Sequence, residues 1–237
     1  MKDHLETAPV IDAVRAHAGC PICILRNQIE RQSVERYLGG AVMEPDIRLK
    51  TNAAGFCRMH HQQLMALKDY HGYALMMQTR LKEVINNLEP SLQKLSSGGV
   101  FERKNARLAR SLAMSSSSRC LVCEGLEDTI NRYMDIFMKL YREDTAFRRD
   151  FAECSGICLI DLPLILDRAE SGLPPQLRRT FLECVSKQTL NGLNTAQQDL
   201  DALCSSFHYG SPEKDNPRIH SALERAVNLL RGKTFDT

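Results

Sequence analysis

The chain has 237 residues, 43% of them apolar and 25% charged, with a formal net charge of +2. This length and composition allow a full buried core, in one large domain or two small ones, and the near-zero charge excludes a general electrostatic drive toward nucleic acid or membrane. The polar start, Met1 to Thr7, and the lack of an apolar run long enough for a signal sequence or a membrane span lead to the expectation of a soluble, cytoplasmic protein.

Helical spacing recurs along the chain and strand-like alternation is scarce. The expected fold is all-α, a helical bundle of two related halves with about eight helices. The pattern predicts helices over 8–18, 22–38, 57–69, 72–95, 121–143, 158–170, 175–207 and 217–231. Met77, Leu81, Val84 and Leu88 mark one face of the fourth. Leu126, Ile130, Tyr133, Phe137 and Leu140 do the same in the fifth, and Leu193, Ala196, Leu200, Leu203 and Phe207 in the seventh. Pro174 and Pro175 suit the start of that seventh helix, where a missing N–H costs nothing. Segment 96–119 opens with Ser-Ser-Gly-Gly and carries Arg103, Lys104, Arg107 and Arg110 beside Glu102, without interleaved aromatics. It reads as a solvated linker rather than a nucleic-acid contact. The expected domains are therefore 1–95 and 120–237, joined by 96–119.

An internal repeat supports this division. Cys20 and Cys23 are followed by a helix and then by Gly55-Phe-Cys57-Arg-Met-His60; Cys120 and Cys123 are followed by a helix and then by Gly156-Ile-Cys158-Leu-Ile-Asp161. The step from Cys20 to Cys57 is 37 residues and that from Cys120 to Cys158 is 38. Two halves with the same order and nearly equal spacing point to a duplicated helical unit.

The nine cysteines carry the chemistry. Thiols are kept reduced in the cytosol, so spaced cysteines there point to metal or redox chemistry ahead of disulfides. A Cys-x-x-Cys turn opening a helix presents two thiolates to the positive end of the dipole. Cys57 and His60, three apart on a helix, share a face. Taken half by half, the first set is Cys20, Cys23, Cys57 and His60, a common closed zinc environment. His61 is an alternative to His60, but its counterpart in the repeat, Leu162, cannot ligate, whereas Asp161 aligns with His60. The second set is Cys120, Cys123 and Cys158 with Asp161 or Cys154. With Cys154 it would have four thiolates, compatible with zinc or an iron–sulfur cluster. Cys184 and Cys204 are expected in the core, as are Met76, Met77, Met134 and Met138.

No Walker loop, dinucleotide fingerprint or nucleophile elbow is present in the sequence, so no catalytic residue is nominated. The leading expectation is a zinc-binding structural, interaction or regulatory module with a protein partner, leaving a homo-oligomer open. The alternative is an iron–sulfur or thiol-based redox or metal sensor, and an enzyme of unknown reaction comes third.

The ordered motifs Thr7-Ala-Pro-Val-Ile-Asp-Ala-Val, Cys20-Pro-Ile-Cys23, Asp46-Ile-Arg, Gly55-Phe-Cys57-Arg-Met-His60, Gly72-Tyr-Ala-Leu-Met-Met, Cys120-Leu-Val-Cys123, Gly156-Ile-Cys158 and Phe207-His-Tyr209 resemble a bacterial domain-of-unknown-function family, number 6062. The resemblance covers nearly the whole chain and implies a helical protein with paired Cys/His motifs. Some members look to carry histidine where this chain has Asp161. The resemblance implies no activity, substrate or partner.

Overall fold

A computed structural model describes residues 2–96, 102–208 and 217–232. Among these residues there are eleven α-helices and no strand. They are α1 (Lys2–Arg15), α2 (Pro21–Leu38), α3 (Pro45–Ala54), α4 (Arg58–Ala66), α5 (Tyr70–Ser96), α6 (Glu102–Ser118), α7 (Leu121–Glu143), α8 (Thr145–Ala152), α9 (Leu162–Gly172), α10 (Pro175–Ser206) and α11 (Ala222–Arg231). None is long and apolar enough to cross a membrane.

Eleven helices replace the expected eight or so. The three that periodicity missed are α3, α6 and α8. The first and last are 10 and 8 residues long, too short to display several turns of an apolar stripe. α8 is instead set by a cap: Asp144 accepts from the amides of Ala146 at 2.7 Å and Phe147 at 3.3 Å, satisfying N–H groups that a helix start leaves open. α6 occupies most of the expected linker. Its four cations lie along a mainly exposed helix. The guanidinium of Arg80 on α5 donates to the carbonyl of Ser116 near its end at 2.6 Å and to that of Asn52 in α3. Segment 97–101 of that linker, and Tyr209 in the tail motif, lie outside the described residues.

The chain divides into two compact units, but not at the expected linker. One unit comprises the residues up to Gln28 together with those from Asp128 onward; the other is Ile29–Glu127. The boundaries fall inside α2 and α7, so a cut at 95 and 120 does not separate the units. Helical continuity hides such a boundary from sequence, because no Gly- or Pro-rich break marks it.

The first unit is built on a ring cluster. Phe137, Phe147, Phe151 and Phe181 are all buried, and Tyr141 packs among them. Phe137 meets Phe147 and Phe151 edge-on at 5.0 and 5.1 Å, while Phe151 and Phe181 stack at 5.5 Å, arrangements that ring quadrupoles favour. The buried stripe of α7 in this unit is Ile130, Met134, Phe137, Met138 and Tyr141, slightly rotated from the predicted one. Phe151→Ala is expected to cost about 3–5 kcal/mol, read as a lower denaturation midpoint with an unchanged slope. A loss below about 1 kcal/mol would show that the rings are not the centre of this core.

The second unit has a smaller core of Val34, Leu38, Val42, Leu64, Met76, Cys120 and Val122, with Tyr37, Phe56, Cys57, Tyr73 and Cys123 packed against it. The predicted stripe on α5 is not buried: Met77, Val84 and Leu88 are half-buried and Leu81 is 53% exposed. Met76, one residue off that stripe, is the side chain that enters the core. Cys204, expected in the core, is exposed in the first unit, and Cys184 is half-buried. Burial statistics for cysteine describe an average, and the long α10 has room for thiols on its outer faces.

Candidate metal centres

Both Cys-x-x-Cys pairs open a helix. Cys20 immediately precedes α2 and Cys120 immediately precedes α7; the second cysteine of each pair is the third helical residue. Each pair therefore sits at the first turn of a helix, at the positive end of its dipole, although burial among its neighbours pushes the Cys123 thiol up. The matching motifs are each introduced by a glycine in a backbone conformation that L side chains rarely adopt. Gly55 has φ +70° two residues before Cys57, and Gly156 has φ +142° two residues before Cys158.

In the second unit, Cys57, His60, Cys120 and Cys123 converge. His60 Nδ1 lies 3.1 Å from Cys57 Sγ, 3.2 Å from Cys120 Sγ and 3.4 Å from Cys123 Sγ, and the sulfurs of Cys57 and Cys123 are 3.9 Å apart. Zn–S bonds of about 2.3 Å and Zn–N of about 2.0–2.1 Å place tetrahedral donors about 3.5–3.8 Å apart, so the four atoms need only a small expansion to surround one ion. The other ring nitrogen, Nε2, is 3.0 Å from Glu30 Oε1, which also accepts from Gln63 Nε2 at 3.0 Å. Nε2–H donated to Glu30 leaves the Nδ1 lone pair facing the sulfurs, the orientation a ligating imidazole requires. Burial opposes charge on His60, but the bonds to Cys120 and Glu30 prevail and raise its pKa to about 10. Burial likewise pushes the Cys120 thiol up, yet the His60 hydrogen bond and the neighbouring amides draw it down to about 6. Without an ion, therefore, Nδ1 carries a proton shared with Cys120 Sγ, and a metal would have to displace that proton to take up the Nδ1 lone pair.

In the first unit, Cys20, Cys23, Cys158 and Asp161 converge, all buried. Asp161 Oδ2 lies 3.8 Å from Cys20 Sγ, 3.4 Å from Cys23 Sγ and 3.3 Å from Cys158 Sγ; Cys23 and Cys158 are 3.4 Å apart. The other carboxylate oxygen, Oδ1, accepts from Arg26 Nε at 2.8 Å. The carboxylate therefore offers one oxygen to the cluster and one to a cation. Burial raises the Asp161 pKa to about 6, with the Cys158 charge adding to it and Arg26 opposing it.

The structure thus gathers the nominated cysteines in a different partition. Cys20 and Cys23 belong with Cys158 and Asp161, and Cys57 and His60 with Cys120 and Cys123. The expected sets, Cys20/Cys23/Cys57/His60 and Cys120/Cys123/Cys158/Asp161, are each split. Sequence proximity cannot tell which motifs meet in space. Cys154, the alternative to Asp161, lies outside both groups and donates to the Val14 carbonyl at 3.4 Å; burial raises its pKa to about 12. His61 is also outside: its Nδ1 is 2.5 Å from the Tyr73 hydroxyl and its ring meets Phe56 edge-on.

Sequence reasoning missed Arg26, Glu30 and Gln63. Arg26 is three residues after Cys23 and Gln63 three after His60, so helical periodicity placed both on ligand-bearing faces. Glu30→Ala, which strands the buried imidazole N–H, is expected to weaken metal binding at its centre roughly 10–100-fold. Competition against a chromophoric chelator measures this; an unchanged affinity would show that Glu30 does not orient His60.

A family model described as Family of unknown function (DUF6062) matches residues 1–237. Comparison with curated proteins and with solved structures finds no match.

Proposed function

The chain belongs to that family over its whole length, and on this premise we propose that it is a zinc-binding protein whose two centres hold its two units folded, acting as a non-enzymatic interaction or regulatory module in the cytoplasm. The observation that carries the reading is His60, with Nδ1 turned to three sulfurs at 3.1–3.4 Å and Nε2 to Glu30. Donor atoms within 4.8 Å of one another suit a single ion. An iron–sulfur cluster instead distributes its thiolates over several irons and needs a wider cage. Three thiolates with one nitrogen or oxygen suit zinc, which has no redox chemistry of its own and favours closed four-coordinate structural sites. None of the nine cysteines forms a disulfide, in keeping with a reducing compartment.

An internal duplication belongs to the same proposal. In each centre the Cys-x-x-Cys pair comes from one half of the sequence and the Cys-x-x-His or Cys-x-x-Asp pair from the other. Reciprocal exchange of this kind is what two copies of one unit would produce if each lent a segment to the other. The partner is another protein, reached through surfaces that the metals keep in shape.

Elemental analysis with an absorption spectrum, on protein purified without oxygen, tests the reading. Two zinc ions per chain and no visible absorbance are expected. Iron with labile sulfide would replace this reading with a redox or sensor function, and absence of metal would remove it.

A further inference from the structure

The first unit contains a cavity of about 420 Å³ that reaches its metal centre. Cys20, Cys23 and Cys158 form one end of it. Its size falls within the range of small-molecule sites, which are mostly apolar with a few convergent polar groups. Ile24, Ala196 and Leu229 supply apolar wall, and Asn191, Thr195 and Asn228 supply paired donors and acceptors. In the second unit, the cavity beside Phe56 and His61 is about 70 Å³ and is lined by none of that unit's four ligand side chains.

Charge decides what the larger cavity accepts. Three thiolates and a carboxylate around a divalent ion leave a net negative centre, only partly offset by Arg26, so an anion is repelled at the sulfur end. At another part of the lining, Arg225 is engaged, 2.7 Å from the buried Asp199 carboxylate and bonded to Ser221, and so is not free to pair with an anionic ligand. We infer that this cavity binds a neutral, mainly apolar small molecule bearing an amide- or hydroxyl-like end, seated against the sulfurs of the Cys20, Cys23, Cys158 and Asp161 centre, so that its occupancy controls loss of that metal. The inference rests on the metal reading above. An occupant covering the thiolates shields the buried cluster from an incoming chelator on its cavity side, whereas the cavity beside Phe56 and His61 touches none of the second centre's ligands and gives it no such shield.

The test uses the full metal-loaded chain and the neutral fluorescent probe N-phenyl-1-naphthylamine, with metal transfer to a chromophoric chelator as the readout. Metal content is measured before the probe is added, so a chain that carries no metal defeats the parent reading at that stage and this inference with it. The probe is expected to bind with enhanced emission. At ten times its dissociation constant it should slow one of two metal-release phases about tenfold, as release only from the unoccupied form requires. Ala196→Leu, which fills the cavity, should abolish both effects with metal content unchanged. If that variant loses its helical circular dichroism, Thr195→Leu at the exposed rim replaces it. A metal-loaded chain that does not bind the probe, or binds it without slowing either phase, overturns the inference and leaves the metal reading standing, as does a folded variant that behaves like wild type.

Discussion

If each centre holds one ion, Cys57→Ser and Cys120→Ser are each expected to lower the metal content from two ions per chain to one, and the double variant is expected still to retain one. This result follows from the partition of the ligands, since both residues belong to the centre built on His60. Cys20→Ser combined with Cys57→Ser, in contrast, removes both ions, because those residues serve different centres. The half-by-half pairing that spacing suggests makes the opposite forecast: Cys20 and Cys57 would share an ion, and the Cys57/Cys120 double variant would lose everything. Metal counting on the two double variants therefore decides between the pairings. The expected effect on stability is large. Metal affinity at a site absent from the unfolded chain becomes folding energy, and loss of a structural ion belongs with the mechanisms that cost about 4–5 kcal/mol or more. Cys57→Ser with unchanged melting would show that the second unit does not depend on its ion.

Stripping both metals is expected to unfold the two units unequally. In the second unit two thiols of the candidate centre, Cys57 and Cys123, lie against the small apolar core, and a third, Cys120, is a member of it. Without the ion, that core must accommodate a buried imidazole–thiolate pair and neighbouring thiols whose geometry nothing else fixes. The first unit is expected to keep its ring cluster of Phe137, Tyr141, Phe147, Phe151 and Phe181 after metal removal, because none of those residues belongs to either candidate centre. Hydrogen exchange on the metal-free chain should therefore show α4 and the α7 residues up to Glu127 losing protection by orders of magnitude. Amides of α8 and the first half of α10 should stay protected, with losses in the first unit confined to the segments around Cys20 and Cys158. Uniform loss throughout would show that the ring cluster is not self-sufficient. Uniform retention would show that neither ion carries folding energy.

The sequence by itself determined the all-helical class and the order of the motifs, and nominated seven of the eight side chains that converge, with Asp161 or Cys154 left open for the eighth. Each of these is local: a 3.6-residue period, a Cys-x-x-Cys turn at a helix start, or a Cys-x-x-His step along one face repeats within a few residues, where backbone geometry alone fixes what lies beside what. The short helices α3 and α8 fell below that signal, since one or two turns show too little period. Only the tertiary structure decided that Cys57 and His60 meet Cys120 and Cys123 while Asp161 meets Cys20 and Cys23, and that Glu30 and Arg26 orient His60 and Asp161. Those pairings join residues 30 to 141 positions apart. At such separations spacing along the chain carries no distance information, and the choice among partners is made by how the helices pack.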